Sequence, residues 1–199
     1  QEAARLATAW ATPLYGSIQM TTWAGVILAC AINVHPSTVA QIIRVESGGD
    51  PTVINIVGEG PRRGTRHDML ALTDTKVAHG RNVAIGLMQV TTREGRRYGY
   101  TPADLFDPCR NVEAGTKILS SSYKRAMQHI PAGQPALQAA LSAYNTGNFL
   151  SGFANGYLAR YYRTAVEGSP RTAITSSAAG VESPYSAGTA VPFSTHPAT

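Results

Sequence analysis

Residues 36–50 of the chain read PSTVAQIIRVESGGD. Pro36 and Ser37 supply helix start signals, because proline in a first turn forfeits no hydrogen bond and its fixed φ suits the helix. Val39, Ile42, Ile43 and Glu46 follow at i, i+3, i+4 and i+7, the spacing that lines one helical face. Gly48 and Gly49 then stop the helix. A carboxyl group therefore stands on an apolar stripe, in the last turn of its own helix. Burial disfavours a carboxylate, and so does the negative end of a helix. Both raise the pKa, and a carboxylic acid kept protonated near neutral pH can act as a general acid. The plainer reading of the same periodicity is a Glu46 that snorkels outward or pairs with Arg44 or a distant arginine.

Working outward, the remaining pattern is mostly helical. Residues 23–32 are the most apolar run, at ten residues, whereas a bilayer span takes ~20. A core helix fits this run better than a signal-peptide core with only Arg5 as basic flank, or than the lipoprotein cleavage box that Ile27, Leu28, Ala29 and Cys30 resemble in outline. Residues 53–85 form a polar, irregular insertion holding Gly58, Gly60, Pro61 and Gly64, with a short helix expected over 68–79 and a partly extended segment over 83–90. Asn111 reads as an N-cap, followed by a stripe of Ile118, Leu119, Tyr123, Ala126 and Met127. Pro135 opens the next helix, with Leu137, Leu141 and Tyr144 on one face and Gly147 at its end. Tyr157, Leu158, Tyr161, Tyr162 and Ala165 suggest a last helix. Five or six helices and one irregular insertion, with room in it for some β structure, predict a mainly α domain.

Length and composition agree with one such domain plus ends. The chain has 199 residues, 43% of them apolar, which suffices for a core. Residues 1–21 read as an N-terminal extension, either irregular or helical over 3–11. Residues 22–167 form the domain. In the segment 168–199 only Arg171 and Glu182 are charged and large apolar residues are sparse, which predicts a flexible tail. The balance of 17 Lys+Arg against 12 Asp+Glu gives +5 and favours an anionic partner: nucleic acid, a membrane surface or an acidic polymer. Two cysteines, Cys30 and Cys109, cannot make a four-cysteine zinc site; one bridge or two inert thiols remain.

Two further stretches could carry chemistry. Gly86-Leu87-Met88-Gln89 suits a tight backbone approach beside a groove, or a simple turn into a buried segment. Ala143-Tyr144-Asn145-Thr146-Gly147 suits a left-handed helix cap, with Asn145 free to bond nearby backbone. Each is weak alone. In order and spacing, however, Glu46-Ser47-Gly48-Gly49-Asp50-Pro51, Gly86-Leu87-Met88-Gln89, Ala143-Tyr144-Asn145-Thr146-Gly147 and Asn155-Gly156-Tyr157 make residues 22–165 resemble the soluble lytic transglycosylase domain. Cys30, the insertion and the stretch Phe106-Asp107-Pro108-Cys109-Arg110-Asn111-Val112-Glu113-Ala114-Gly115 further resemble the small periplasmic transglycosylases of type IV secretion and conjugation systems.

The resemblance implies a lysozyme-like fold and a specific set of roles. Glu46 is implied as the single catalytic acid/base. It would cleave the β-1,4 bond between N-acetylmuramic acid and N-acetylglucosamine in peptidoglycan and leave 1,6-anhydromuramoyl ends. Ser47, Gly86, Leu87, Met88, Gln89, Tyr144, Asn145 and Tyr157 are implied as substrate-binding, with Gly86, Leu87 and Met88 acting through groove backbone and packing. Peptidoglycan strands are the implied partner, with secretion or conjugation components beside them, in an exported, monomeric, periplasmic protein whose signal peptide is not in this chain. An oxidising compartment implies a Cys30–Cys109 bridge rather than two free thiols.

The other residues fit these expectations. Two-carboxylate hydrolysis needs a second acid ~5–10 Å away, and Asp50, Asp104 and Asp107 sit in turn or capping contexts. His35, His67, His79, His129 and His196 lack metal-binding spacing, so no metal and no cofactor are expected. Arg62, Arg63 and Arg66, and Arg93, Arg96 and Arg97, read first as solvated surface and second as attraction for anionic glycan or stem-peptide carboxylates. No nucleic-acid-binding motif is present, and no membrane span is expected. Two rival functions are hydrolysis, as in the related goose-type lysozymes, and a non-catalytic wall-binding scaffold. The intact Glu46, Gln89 and Tyr144 argue against the scaffold.

Overall fold

In the computed structural model, residues 23–167 are described, with side chains through residue 163. The helix expected over 3–11 and the tail expected over 168–199 lie outside the described residues. The chain starts in α1 (residues 23–30) and turns into α2 (Pro36–Glu46), where the His35 side chain accepts from the Ser37 amide and Pro36 occupies the first turn. Val39, Ile42 and Ile43 are fully buried, so the apolar stripe that carries Glu46 does face the core.

The insertion is more regular than its sequence suggests. β1 (Ile54–Ile56), β2 (Gly60–Arg62), β3 (Val83–Ile85) and β4 (Val90–Thr91) form an antiparallel sheet in the order β2-β1-β3-β4. Ile54, Ile56, Val83 and Ile85 are fully buried while Asn55 is exposed, the period-2 alternation of a half-buried sheet. β3 and the first residue of β4 fall within the extended segment expected over 83–90, whereas β1 and β2 escape notice because each has only three residues, too few to display a period. The helix expected over 68–79 is α3 (Arg66–Ala78), which starts earlier because Thr65 caps it by accepting from the Asp68 amide. It lays Met69 and Thr73 against the sheet.

Two short helices follow, α4 (Thr92–Arg97) and α5 (Pro102–Leu105), the latter closed by a reciprocal capping box between Thr101 and Asp104. The central helix α6 (Pro108–Ala126) is capped by Asp107, not by Asn111 as its sequence suggests. Asp107 accepts from the Arg110 amide at 2.9 Å and Pro108 fills the first helical position, so the helix starts a turn earlier. Ile118, Leu119, Tyr123 and Ala126 are buried as expected; Met127 is not, because α6 has ended and its side chain is 40% exposed. α6 packs on α7 (Gln134–Thr146), which ends at Gly147 in the left-handed conformation. A four-residue turn, α8 (Ser151–Ala154), leads to α9 (Tyr157–Glu167), which packs against α2.

The ends of the domain are pinned. Cys30 and Cys109 form a disulfide that joins α1 to the first turn of α6 across 79 positions. Beside it, the Ile32 amide donates to Thr116 Oγ1 and Ser120 Oγ donates to the Ile32 carbonyl. The Gln41 amide nitrogen donates to the Tyr161 carbonyl at 2.8 Å and links α2 to α9. Among the described residues, no helix is long and apolar enough to cross a membrane.

Candidate active site

Glu46 ends α2, and its surroundings come from both ends of the chain. Its Oε1 is buried without a hydrogen-bond partner, and so is the hydroxyl of Tyr157, at the start of α9. The Tyr157 hydroxyl lies close enough to favour the Glu46 anion, but in a geometry short of a formed hydrogen bond. Burial dominates and pushes the Glu46 carboxyl up to about 7, against the lowering pull of Tyr157 and of the Arg160 charge. Tyr144 and Tyr157 are themselves held well above the ordinary tyrosine value, first by burial and then by the Glu46 charge, so both stay protonated. Arg160 stands over the Tyr157 ring, 5.9 Å from its centroid.

A turn over residues 86–89 joins β3 to β4. Leu87 and Met88 are fully buried, so their side chains pack and any contact with a ligand passes through the backbone. Ser47, the C-cap of α2, is also buried; its hydroxyl donates to the carbonyls of Leu87 (2.8 Å) and Ile43 (3.1 Å) and accepts from the Gly49 amide. That leaves Ser47 as a tie between the acid's helix and the turn, not an open sugar contact. Tyr144 Oη donates to the Met88 carbonyl at 2.7 Å and ties α7 to the same turn. The Gln89 amide nitrogen donates to the carbonyls of Val53 and Gly86, which leaves its oxygen as the available acceptor. Asn145 is exposed, and its Oδ1 accepts from Asn155. Asn155 in turn accepts from the Tyr157 amide at 2.9 Å, so Asn145 and Tyr157 are joined through one side chain.

The structure thus brings Glu46, Ser47, the 86–89 turn, Tyr144 and Tyr157 to one place, with Asn145 at its rim. Three neighbours escape a sequence reading. Arg160 follows Tyr157 by three positions on α9, a helical-spacing signal that could have found it. Trp23 donates from its indole to the Gly49 carbonyl, and Gln41 reaches α9. Neither has a local signal, because the partner is remote in sequence.

The other acids are committed elsewhere. Asp50 Oδ1 accepts from the Thr52 amide and hydroxyl and the Val53 amide, while Oδ2 pairs with Arg63. Partial burial is outweighed there, and these bonds and the Arg63 charge hold Asp50 below its ordinary value. Asp104 and Asp107 cap α5 and α6. Arg62 and Arg66 donate to main-chain carbonyls, so that basic cluster is partly structural. Among the described residues, no three His, Cys, Asp or Glu side chains converge as metal ligands.

A mainly helical domain with a small antiparallel sheet, and one acid whose buried carboxyl oxygen faces two tyrosines, defines a protein of the lysozyme-like class. Residues 27–166 match the Transglycosylase SLT domain family, and the chain belongs to that family. It is 40% identical over 127 residues to the type IV secretion system protein virB1 of Brucella abortus biovar 1 (strain 9-941), covering 62% of this chain and 53% of that relative. Protein virB1 of Rhizobium radiobacter is 39% identical over 145 residues, covering 69% of this chain and 58% of its own length. Protein virB1 of Agrobacterium fabrum (strain C58 / ATCC 33970) is 34% identical over 140 residues, covering 69% and 56%. The chain thus spans a little over half the length of these relatives.

Proposed function

We propose that this protein is a peptidoglycan lytic transglycosylase that opens the cell wall locally, in the periplasm, for a type IV secretion or conjugation apparatus. The carrying observation is the Glu46 carboxyl, buried at a helix end, pushed up to about 7 and facing Tyr157. A group with that pKa is populated in both protonation states at neutral pH, as an acid that must also act as a base requires. Family membership and the virB1 relatives support the substrate and the setting.

In this mechanism Glu46 gives its proton to the glycosidic oxygen as the bond to C1 of N-acetylmuramic acid breaks. The N-acetylglucosamine 4-hydroxyl leaves. The carboxylate then takes the proton of the muramoyl C6 hydroxyl as that oxygen closes on C1. Glu46 ends protonated, no water is consumed, and the product is a 1,6-anhydromuramoyl end. Arg160 favours the transient anion, while Gln89 and Asn145 offer polar groups to the sugar. Asp50, Asp104 and Asp107 are each engaged in the fold, which supports a one-carboxylate route over paired-acid hydrolysis.

The test is mass analysis of products from purified sacculi, with wild type and Glu46→Gln side by side. Transglycosylation gives ends one water lighter than the reducing ends of hydrolysis. Reducing ends would establish the hydrolase instead, and undiminished cleavage by Glu46→Gln would overturn the role of that residue.

A further inference from the structure

Gln89 sits at φ +48°, a left-handed conformation that a non-glycine residue keeps only where its surroundings over-determine it. The turn before it is held from beneath by one side chain. Asn111, in the first turn of α6, is 1% exposed. Its Nδ2 donates to the carbonyls of Ile85 and Leu105, and its Oδ1 accepts from the Met88 amide, all at 2.8 Å. A Cβ on Gly86 would come within 2.8 Å of Asn111 Nδ2, so the turn is moulded onto this amide. Asn111 itself has no freedom to meet a sugar, because it is beneath the turn and its donors and acceptor are engaged.

We infer that Asn111 is a positioning residue for substrate binding: it fixes the backbone of residues 86–89 and, through it, the direction of the Gln89 side chain. The inference rests on the transglycosylase reading of the site. Ser47 and Tyr144 bind the carbonyls of Leu87 and Met88, so the turn has three side-chain ties from three helices. Only the Asn111 tie meets an amide of the turn, that of Met88, immediately before Gln89. Losing it frees the sugar-facing turn while Glu46, on α2, keeps its burial and its tyrosine.

The test compares the whole chain with Asn111→Ala, Asn111→Asp and Leu119→Ala, the last a fully buried control on the same helix. Kinetics on a soluble, uncross-linked strand of the disaccharide repeat are run well below the lowest melting temperature. Asn111→Ala should raise KM by roughly tenfold, with kcat within about threefold and the pH midpoint unmoved, the signature of lost binding geometry. Asn111→Asp keeps the acceptor for the Met88 amide and should raise KM less. Leu119→Ala should lower stability with KM within about twofold of wild type. A KM for Asn111→Ala within about twofold of wild type, or an equal rise in Leu119→Ala, would overturn the inference. If Asn111→Ala does not fold, Asn111→Asp decides by the same comparison with Leu119→Ala. If the wild type cleaves no strand, the functional reading fails by itself. Hydrogen exchange then decides the positioning claim: the Met88 amide should exchange faster in Asn111→Ala while the Ile118 amide is unchanged, and equal protection at Met88 overturns it.

Discussion

The Tyr144 hydroxyl, on α7, donates a 2.7 Å hydrogen bond to the carbonyl oxygen of Met88, 56 positions earlier. This bond joins the helix that carries Asn145 to the turn that carries Gln89, and Tyr144 also faces the Glu46 charge. Tyr144→Phe keeps the ring and leaves the Met88 carbonyl without this donor, at a cost of about 1–3 kcal/mol. The melting temperature should fall by a few degrees, readable by calorimetry. An unchanged melting temperature would mean that the bond contributes nothing.

Under the proposed mechanism Glu46 sets an upper limit on the active pH range. Its carboxyl is pushed up to about 7 by burial, and only the protonated form can donate. The kcat/KM for a soluble strand should therefore fall as pH rises through about 7. A profile flat to pH 9 would exclude Glu46 as the donor.

The same burial has a stability consequence. The folded pKa of about 7 exceeds the ordinary 4.5, so the folded chain keeps a proton that the unfolded chain releases between those values. Stability is highest below that window and declines as pH rises through it. The full difference corresponds to ~3 kcal/mol at pH 8. Glu46→Gln should therefore raise the midpoint of urea unfolding at pH 8 relative to wild type, and do so much less at pH 4.5. An equal effect at both pH values would contradict the burial argument.

The Cys30–Cys109 bridge closes a span of 79 positions, worth ~4.5 kcal/mol on a loop-entropy account and about 2–5 kcal/mol in practice. The Cys30→Ala, Cys109→Ala double variant should melt at a correspondingly lower temperature. Mass analysis after alkylation without reductant should find no labelled thiol in the wild type; two labelled thiols would disprove the bridge.

Gly86 and Gly80 both have φ +73°, but their surroundings differ. A Cβ at Gly80 meets nothing within 4 Å, whereas one at Gly86 lies 2.8 Å from Asn111 Nδ2 and 2.9 Å from the Leu105 carbonyl. Gly80→Ala should cost only the backbone conformation, about 1–2 kcal/mol. Gly86→Ala should cost a further ~1–3 kcal/mol for overpacking. Urea denaturation of the two variants measures the difference, and equal losses would refute the close approach.

The long helices were legible because each carries its own periodicity and its own stop. Val39, Ile42 and Ile43 predict the buried face of α2, and Gly147 predicts the left-handed end of α7, where φ is +83°. The sheet was legible only as the extended segment over 83–90, since strands of two or three residues gain their identity from pairing partners. Asn111 shows the same limit from another side. Its type and place suggest a cap, yet Asp107 caps the helix and Asn111 serves a turn 23 positions back.

By itself, the sequence determined which residue types recur at helical spacing, and so the helices, the acid on an apolar stripe and the order of the four motif stretches. These are local properties, written within a few turns of chain. Only the tertiary structure decided what the acid's environment is. The Tyr157 hydroxyl and the Arg160 charge that act on Glu46 come from α9, more than a hundred positions away, and the burial that pushes it up to about 7 exists only in the folded chain. Desolvation and Coulomb interactions depend on distance in space, and that distance exists only once α2 and α9 have packed together.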